Sequence, residues 1–184
     1  MSKAIHAWHD EHAHFSSLLD ILQSEIRDFH FGKRPNFRLM LDIVYYLRHF
    51  PDRFHHARED VAFARILDKD PSLGPVIARL QQEHRVIANA GDELLKLLNK
   101  AVEEVVTPRS TLEMAAATYL VYYGMHIAKE EEDILPIADR LLTDEDWAAV
   151  RAAVPAGPDP LFGRDCEPRY AELRRQIDLA IGES

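Results

Sequence analysis

Apolar residues recur along most of this chain at the three- and four-residue spacing of helices, with no strand-like alternation. The first such stretch runs from about Ser2 to Phe29, with Ile5, Trp8, His12, Phe15, Leu18, Leu19, Leu22 and Ile26 on one stripe. Ser2 suits its N-cap, and Gly32, Lys33 and Pro35 stop it. The second covers roughly Asn36 to Leu67 and carries Leu39, Ile43, Tyr46, Leu47, Phe50, Phe54, Val61, Ala64 and Leu67. Pro51 lies inside it and predicts a kink or short break just before His55. The third starts at Pro71 or Pro75 and passes through Ile77, Leu80, His84, Ile87, Leu94, Leu95 and Leu98, with Gly91 marking close helix packing. Thr107 is read as the N-cap of the fourth, ahead of Pro108. That helix carries Leu112, Ala115, Ala116, Tyr119, Leu120, Tyr122, Tyr123, His126, Ile127, Glu130, Ile134 and Ile137, and ends near Leu142.

Thr143 and the acidic residues after it read as the cap and first turn of a short helix through Trp147 and Val150. Val154 to Cys166 is rich in Pro and Gly and is expected to be irregular. A last helix from about Glu167 to Ile181 packs through Tyr170, Leu173, Ile177 and Leu179. The expected fold is all-α: an antiparallel up-down four-helix bundle over residues 1–142, with short additional C-terminal helices over residues 143–184. That extension either packs on the bundle or makes a subunit contact, a homodimer through the C-terminal segment.

Polar residues on the apolar stripes change the picture. The long helices offer His12, then His55 with Glu59, then His84, then His126 with Glu130. Within each His/Glu pair the residues stand one helical turn apart and share a face. His12 lies near the start of its helix and His55 towards the end of the next, so in an antiparallel bundle they meet at one depth. His84 and His126 follow the same rule. A carboxylate or imidazole buried alone loses its solvation, whereas four neutral imidazoles and two carboxylates together suit a dinuclear iron centre within a bundle. Glu59 and Glu130 could bridge two Fe ions, each taking two histidines, with an oxo or hydroxo group supplying further negative charge. Taken singly, each histidine reads as a structural core residue, and each pair as a solvated surface pair. The convergence of all six is what favours metal. His9 and His56 stand outside the six-residue set, with a ligand role for either left open, and His56 could pair with Asp60. Glu131, Glu132 and Asp133 read as a solvated acidic face, and Tyr119 or Tyr122 as core residues near the metal pocket.

Composition narrows the partners. The 184 residues include ten histidines and carry a formal net charge of -9, with no Lys/Arg stripe, which argues against nucleic acid. The one cysteine, Cys166, allows no internal disulfide. No apolar run approaches the ~20 residues of a membrane span, and no apolar leader opens the sequence. A cytoplasmic location without membrane contact is expected.

The motifs also carry a resemblance. His55-His56-Ala57-Arg58-Glu59-Asp60 is similar to an HHxxEE element with Asp60 in the last place. His126-Ile127-Ala128-Lys129-Glu130-Glu131, followed by Ile134-Leu135-Pro136, is similar to an HxxxEE element. His12 within Asp10-Glu11-His12 and His84 within Gln82-Glu83-His84 complete the set. Over roughly residues 4–142 the chain resembles the hemerythrin-like proteins, the HHE cation-binding domain family. The resemblance implies a non-haem di-iron centre in a left-handed four-helix bundle. Oxygen-carrying hemerythrins have a second histidine one turn from the helix-three one. Here those positions are Leu80 and Ala88, and the four-His, two-Glu set looks like the di-iron proteins linked to nitrosative stress and iron-centre repair. The functional expectation is a di-iron protein that binds or reacts with a small diatomic or oxidant (O2, NO or peroxide) in stress response or iron handling. The alternatives are a non-catalytic metal-binding or gas-sensing module and a plain bundle without metal.

Overall fold

A computed structural model describes residues 2–182 of the chain. Helix α1 spans Lys3–His30 and is capped by the Ser2 hydroxyl, which accepts from the Ile5 N–H. Gly32, at a φ of +82°, ends it as expected of a residue that must enter the left-handed region. Helix α2 (Phe37–Phe50) continues through a π-helical turn, Pro51–His55, into α3 (His56–Lys69). Pro51 therefore causes neither a break nor a simple kink. It lacks the N–H that would bond back one turn, and the His56 N–H reaches instead to the Pro51 carbonyl, five residues away. A 3-10 turn (Pro71–Leu73) leads into α4 (Gly74–Val102). Helix α5 (Arg109–Lys129) passes through a second π-helical turn, Glu130–Ile134, into α6 (Leu135–Leu141), with Pro136 just beyond. The cap of α5 is Pro108, not Thr107, whose hydroxyl bonds to the Val105 carbonyl instead.

These segments make four rods: α1, α2–α3, α4 and α5–α6. Each π-helical turn advances the chain by an extra residue and shifts the inward stripe that follows. After the first, Ala62, Phe63 and Ile66 are fully buried, while the expected Val61 and Leu67 are only partly buried against the core and Ala64 is exposed. After the second, Leu135 and Ala138 face inward.

The apolar core falls into two parts. One contains Phe15, Leu18, Leu47, Phe50, Ile87 and Tyr123, and the other Trp8, Phe63, Leu80, Ile134 and Leu135. A polar layer separates them. Helix α7 (Asp144–Ala153) starts with a capping box formed by Thr143 and Asp146, and its Trp147 packs edge-on against Trp8 at 5.2 Å. Residues 154–166 are irregular, as expected, and are held by Leu161, which is fully buried, and by the Tyr46 hydroxyl donating to Asp159 at 2.9 Å. After a 3-10 turn (Pro168–Tyr170), helix α8 (Ala171–Gly182) lays Leu173 and Ile177 on the core shared with α2. Leu179 points to solvent instead of packing.

Gly91 lies where α4 meets α2 and α5. A Cβ there would stand 3.1 Å from Cε2 of the buried Tyr119 and 3.3 Å from Cδ of Arg48. Gly91→Val should destabilise the fold by about 1–3 kcal/mol through overpacking, read from chemical denaturation. An unchanged denaturation midpoint would show that the close approach of these helices is not limiting.

Candidate metal centre

The polar layer holds the buried His12 from α1, His55, His56 and Glu59 from the α2–α3 rod, His84 from α4, and His126 and Glu130 from the α5–α6 rod. Two groups could each hold a metal ion: His12, His55, Glu59 and Glu130, and His56, Glu59, His84 and His126. Within each group, one ligand atom from every residue lies within 4.8 Å of the others. All six residues singled out from the sequence thus come together.

Both carboxylates reach towards the two groups. Oε1 of Glu59 lies 2.9 Å from Nε2 of His55 and 3.5 Å from Nε2 of His12, while Oε2 lies 3.5 Å from Nε2 of His84. Oε2 of Glu130 stands 3.4 Å from Nε2 of His12, and its Oε1 stands 3.3 Å from Nε2 of His126 and 3.8 Å from that of His84. Donors on one ion with bonds of about 2.1 Å sit about 3 Å apart at right angles and about 4.2 Å apart when opposed. The observed separations lie in or near this range. Both oxygens of Glu59, both of Glu130, and Nε2 of His84 and His126 are buried without a hydrogen-bond partner among the described residues. Unpaired buried donors and acceptors at this density are costly, and a cation at each group would satisfy them. The residues present fit two metal ions.

A second ring of carboxylates orients the imidazoles. Nδ1 of His12 donates to Glu131 at 2.6 Å, that of His55 to Glu11 at 2.5 Å, and that of His56 to Asp52 at 2.8 Å. Nδ1 of His126 donates to Glu83 at 3.3 Å, and Asp60 lies 3.4 Å from Nδ1 of His84. With the proton on Nδ1, Nε2 presents its lone pair inward, the tautomer a metal ligand needs. These carboxylates are held in turn: Glu11 by Arg58, Asp52 by Arg48, Glu83 by Arg79, Glu131 by His9 and Asp60 by Gln81.

Several residues differ from expectation. His56, left open by the sequence with Asp60 as a possible partner, is one of them. It is buried, bonds to Asp52, and stacks on His84 with ring centroids 4.4 Å apart. The π-helical turn ending at His55 lets two consecutive histidines face inward, His55 towards His12 and His56 towards His84. The doubled histidine was the available signal for this. Glu131 is not part of a solvated acidic face, because it bonds to His12. Tyr122 is exposed, and Tyr123 is the tyrosine beside His56, with ring centroids 5.9 Å apart.

Electrostatics follow from this packing. Burial pushes the His12 imidazolium down, but Glu130 and Glu59 outweigh it and raise its pKa to about 11. Burial likewise opposes the charge on His84, and Asp60, Glu130 and Glu59 raise it to about 12. Burial lowers His56, an effect that Asp52 only partly offsets. Glu59 is held well below the usual carboxylate range: burial opposes this, but His55, His12 and His84 prevail. Without metal, protons on the imidazoles thus balance the two carboxylates.

Apolar rings close one side of the layer: Phe15 meets His55 edge-on at 5.0 Å and Trp8 at 6.1 Å. On the other, a cleft of about 260 Å³ bounded by Arg48, Asp52, Asp60 and Arg85 reaches His56 and His84.

The fold and this layer define a helical-bundle protein with paired metal-binding groups. The sequence profile of the hemerythrin HHE cation binding domain matches residues 3–138, and the chain belongs to that family. Among curated proteins no significant match was found.

In metal-free protein, His12 and His84 should remain imidazolium at pH 9, seen in their ring-nitrogen NMR shifts. Their folded pKa values lie above the unfolded value near 6.5. Their contribution to metal-free stability is therefore complete below about pH 6.5 and lost as pH rises through about 11 to 12. Neutral rings at pH 8 would refute the charge balance.

Proposed function

We propose that the chain is a non-haem di-iron protein that binds or reacts with a small diatomic or oxidant (O2, NO or peroxide). The observation that carries this reading is the pair of buried His/Glu groups sharing Glu59, with donor atoms left unsatisfied inside an apolar bundle. The residues that would hold the ions are His12, His55, His84 and His126 with Glu59 and Glu130, and His56 as a fifth histidine in the second group. Nitrogen and carboxylate donors in a helical bundle suit iron, and the two carboxylates would offset half the charge of two divalent ions held among neutral imidazoles. Bound there, iron would supply the redox and ligand-binding chemistry for a small diatomic or oxidant.

The chain's own residues set the conditions for that chemistry. Trp8, Phe15 and Phe63 exclude bulk water from the layer and strengthen its electrostatics. Glu11, Asp52, Glu83 and Glu131 hold the imidazoles in one tautomer and orientation. The cleft at His56 and His84 supports access for a small ligand to the second position. No helix among the described residues is long and apolar enough to cross a membrane. Residues 143–182 act in this reading as a buttress, since α7 packs on α3 and α8 on α2.

Protein produced in iron-replete medium should contain about two irons per chain by metal analysis. Glu59→Ala should lose both, while His55→Ala should retain more than Glu59→Ala. Glu11→Gln should weaken metal retention against a chelator by about 10–100-fold. The reduced, iron-loaded protein should change its optical spectrum on exposure to O2 or NO. Iron near zero in the unaltered chain would overturn the di-iron reading, and a silent spectrum would overturn the reactivity.

A further inference from the structure

The back of helix α5, opposite His126 and Glu130, has no covering element among the described residues. Met114 is 67% exposed, Val121 56%, Tyr122 45% and Met125 62%. The other exposed positions between Met114 and Ala128 are Ala117, Thr118, Gly124 and Ala128 itself. None carries a charge, in a chain whose residues are 29% charged. The Thr118 hydroxyl donates to the Met114 carbonyl, which leaves its methyl outermost. These residues repeat in heptads: Met114, Val121 and Ala128 at one position, Ala117 and Gly124 at the next, Thr118 and Met125 beside them. Such a seam faces another helix.

We propose that this face joins two copies of the chain, α5 against α5 in antiparallel orientation about a two-fold axis at Val121. With that axis, Val121 meets Val121 of the second copy, Met114 meets Ala128, Ala117 meets Met125, and Thr118 meets Gly124. No layer sets two methionines against each other, and each methionine meets an alanine, which lets the helix axes approach closely. The seam is complementary to itself, as a two-fold interface requires. Charge points to the same occupant. Copies with a net charge of -9 repel over most of their surface, and this uncharged strip is where they can meet without opposing carboxylates. The strip is about 21 Å long. One helix pair of that length buries on the order of 500 Å² per chain, below the ~800 Å² of a standard interface. The dimer is therefore concentration-dependent. This inference is independent of which metal the bundle holds.

The test uses the full chain with Cys166→Ser as background. Val121→Cys places a thiol against its own copy and should form a disulfide-linked dimer at least ~10-fold faster than Met114→Cys under mild oxidation. Met114→Cys combined with Ala128→Cys should restore crosslinking. Sedimentation velocity should show a dimer growing with concentration, and Val121→Glu should abolish it while leaving the helical circular dichroism intact. A monomer at every concentration, or equal crosslinking through Val121→Cys and Met114→Cys, would overturn the proposal. Either result would leave the face to another partner.

Discussion

Two carboxylates buried in the middle of an apolar bundle are the constraint on which this structure depends. Glu59 and Glu130 are almost fully enclosed, and neither oxygen of either one has a hydrogen-bond donor among the described residues. Charges in that position must be matched by cations, as protons on imidazole or as metal ions. The five histidines around them can serve in either form. The apolar core divides at this level, and the sealing rings of Trp8, Phe15 and Phe63 line the boundary.

Around this centre the structure spends surface charge on orientation. Four histidines donate through Nδ1 to a carboxylate, His84 has Asp60 close by, and most of these carboxylates are gripped by an arginine. The chain Arg58–Glu11–His55 illustrates the logic. The guanidinium fixes the carboxylate, the carboxylate fixes the tautomer, and the tautomer turns the Nε2 lone pair inward. Much of the acidic excess is thus also part of the site. The two groups are not equivalent: one sits behind aromatic rings, and the other borders a cleft at His56 and His84.

The π-helical turns connect fold and site. Each occurs next to a proline and beside a His/Glu pair, and each changes which residues point inward from there on. Uniform helical periodicity carried past Pro51 misplaces Val61, Ala64 and Leu67 and leaves His56 outside. Local backbone geometry, more than composition, decides the size of the histidine set.

Read alone, the sequence determined the all-α architecture, the order of the rods, the caps at Ser2 and Thr143, and six of the seven residues of the central layer. It could do so because helical periodicity and i,i+4 pairs are local properties, and polar residues on four apolar stripes can only be accommodated together. Tertiary structure decided the rest. It brought in His56, turned Tyr123 inward in place of Tyr122, exposed Leu179, and recruited Glu131 from an acidic run to hold His12. Each of these depends on the phase of a helix after a π-helical turn or on the neighbour opposite, and neither is encoded within a single helical turn of sequence.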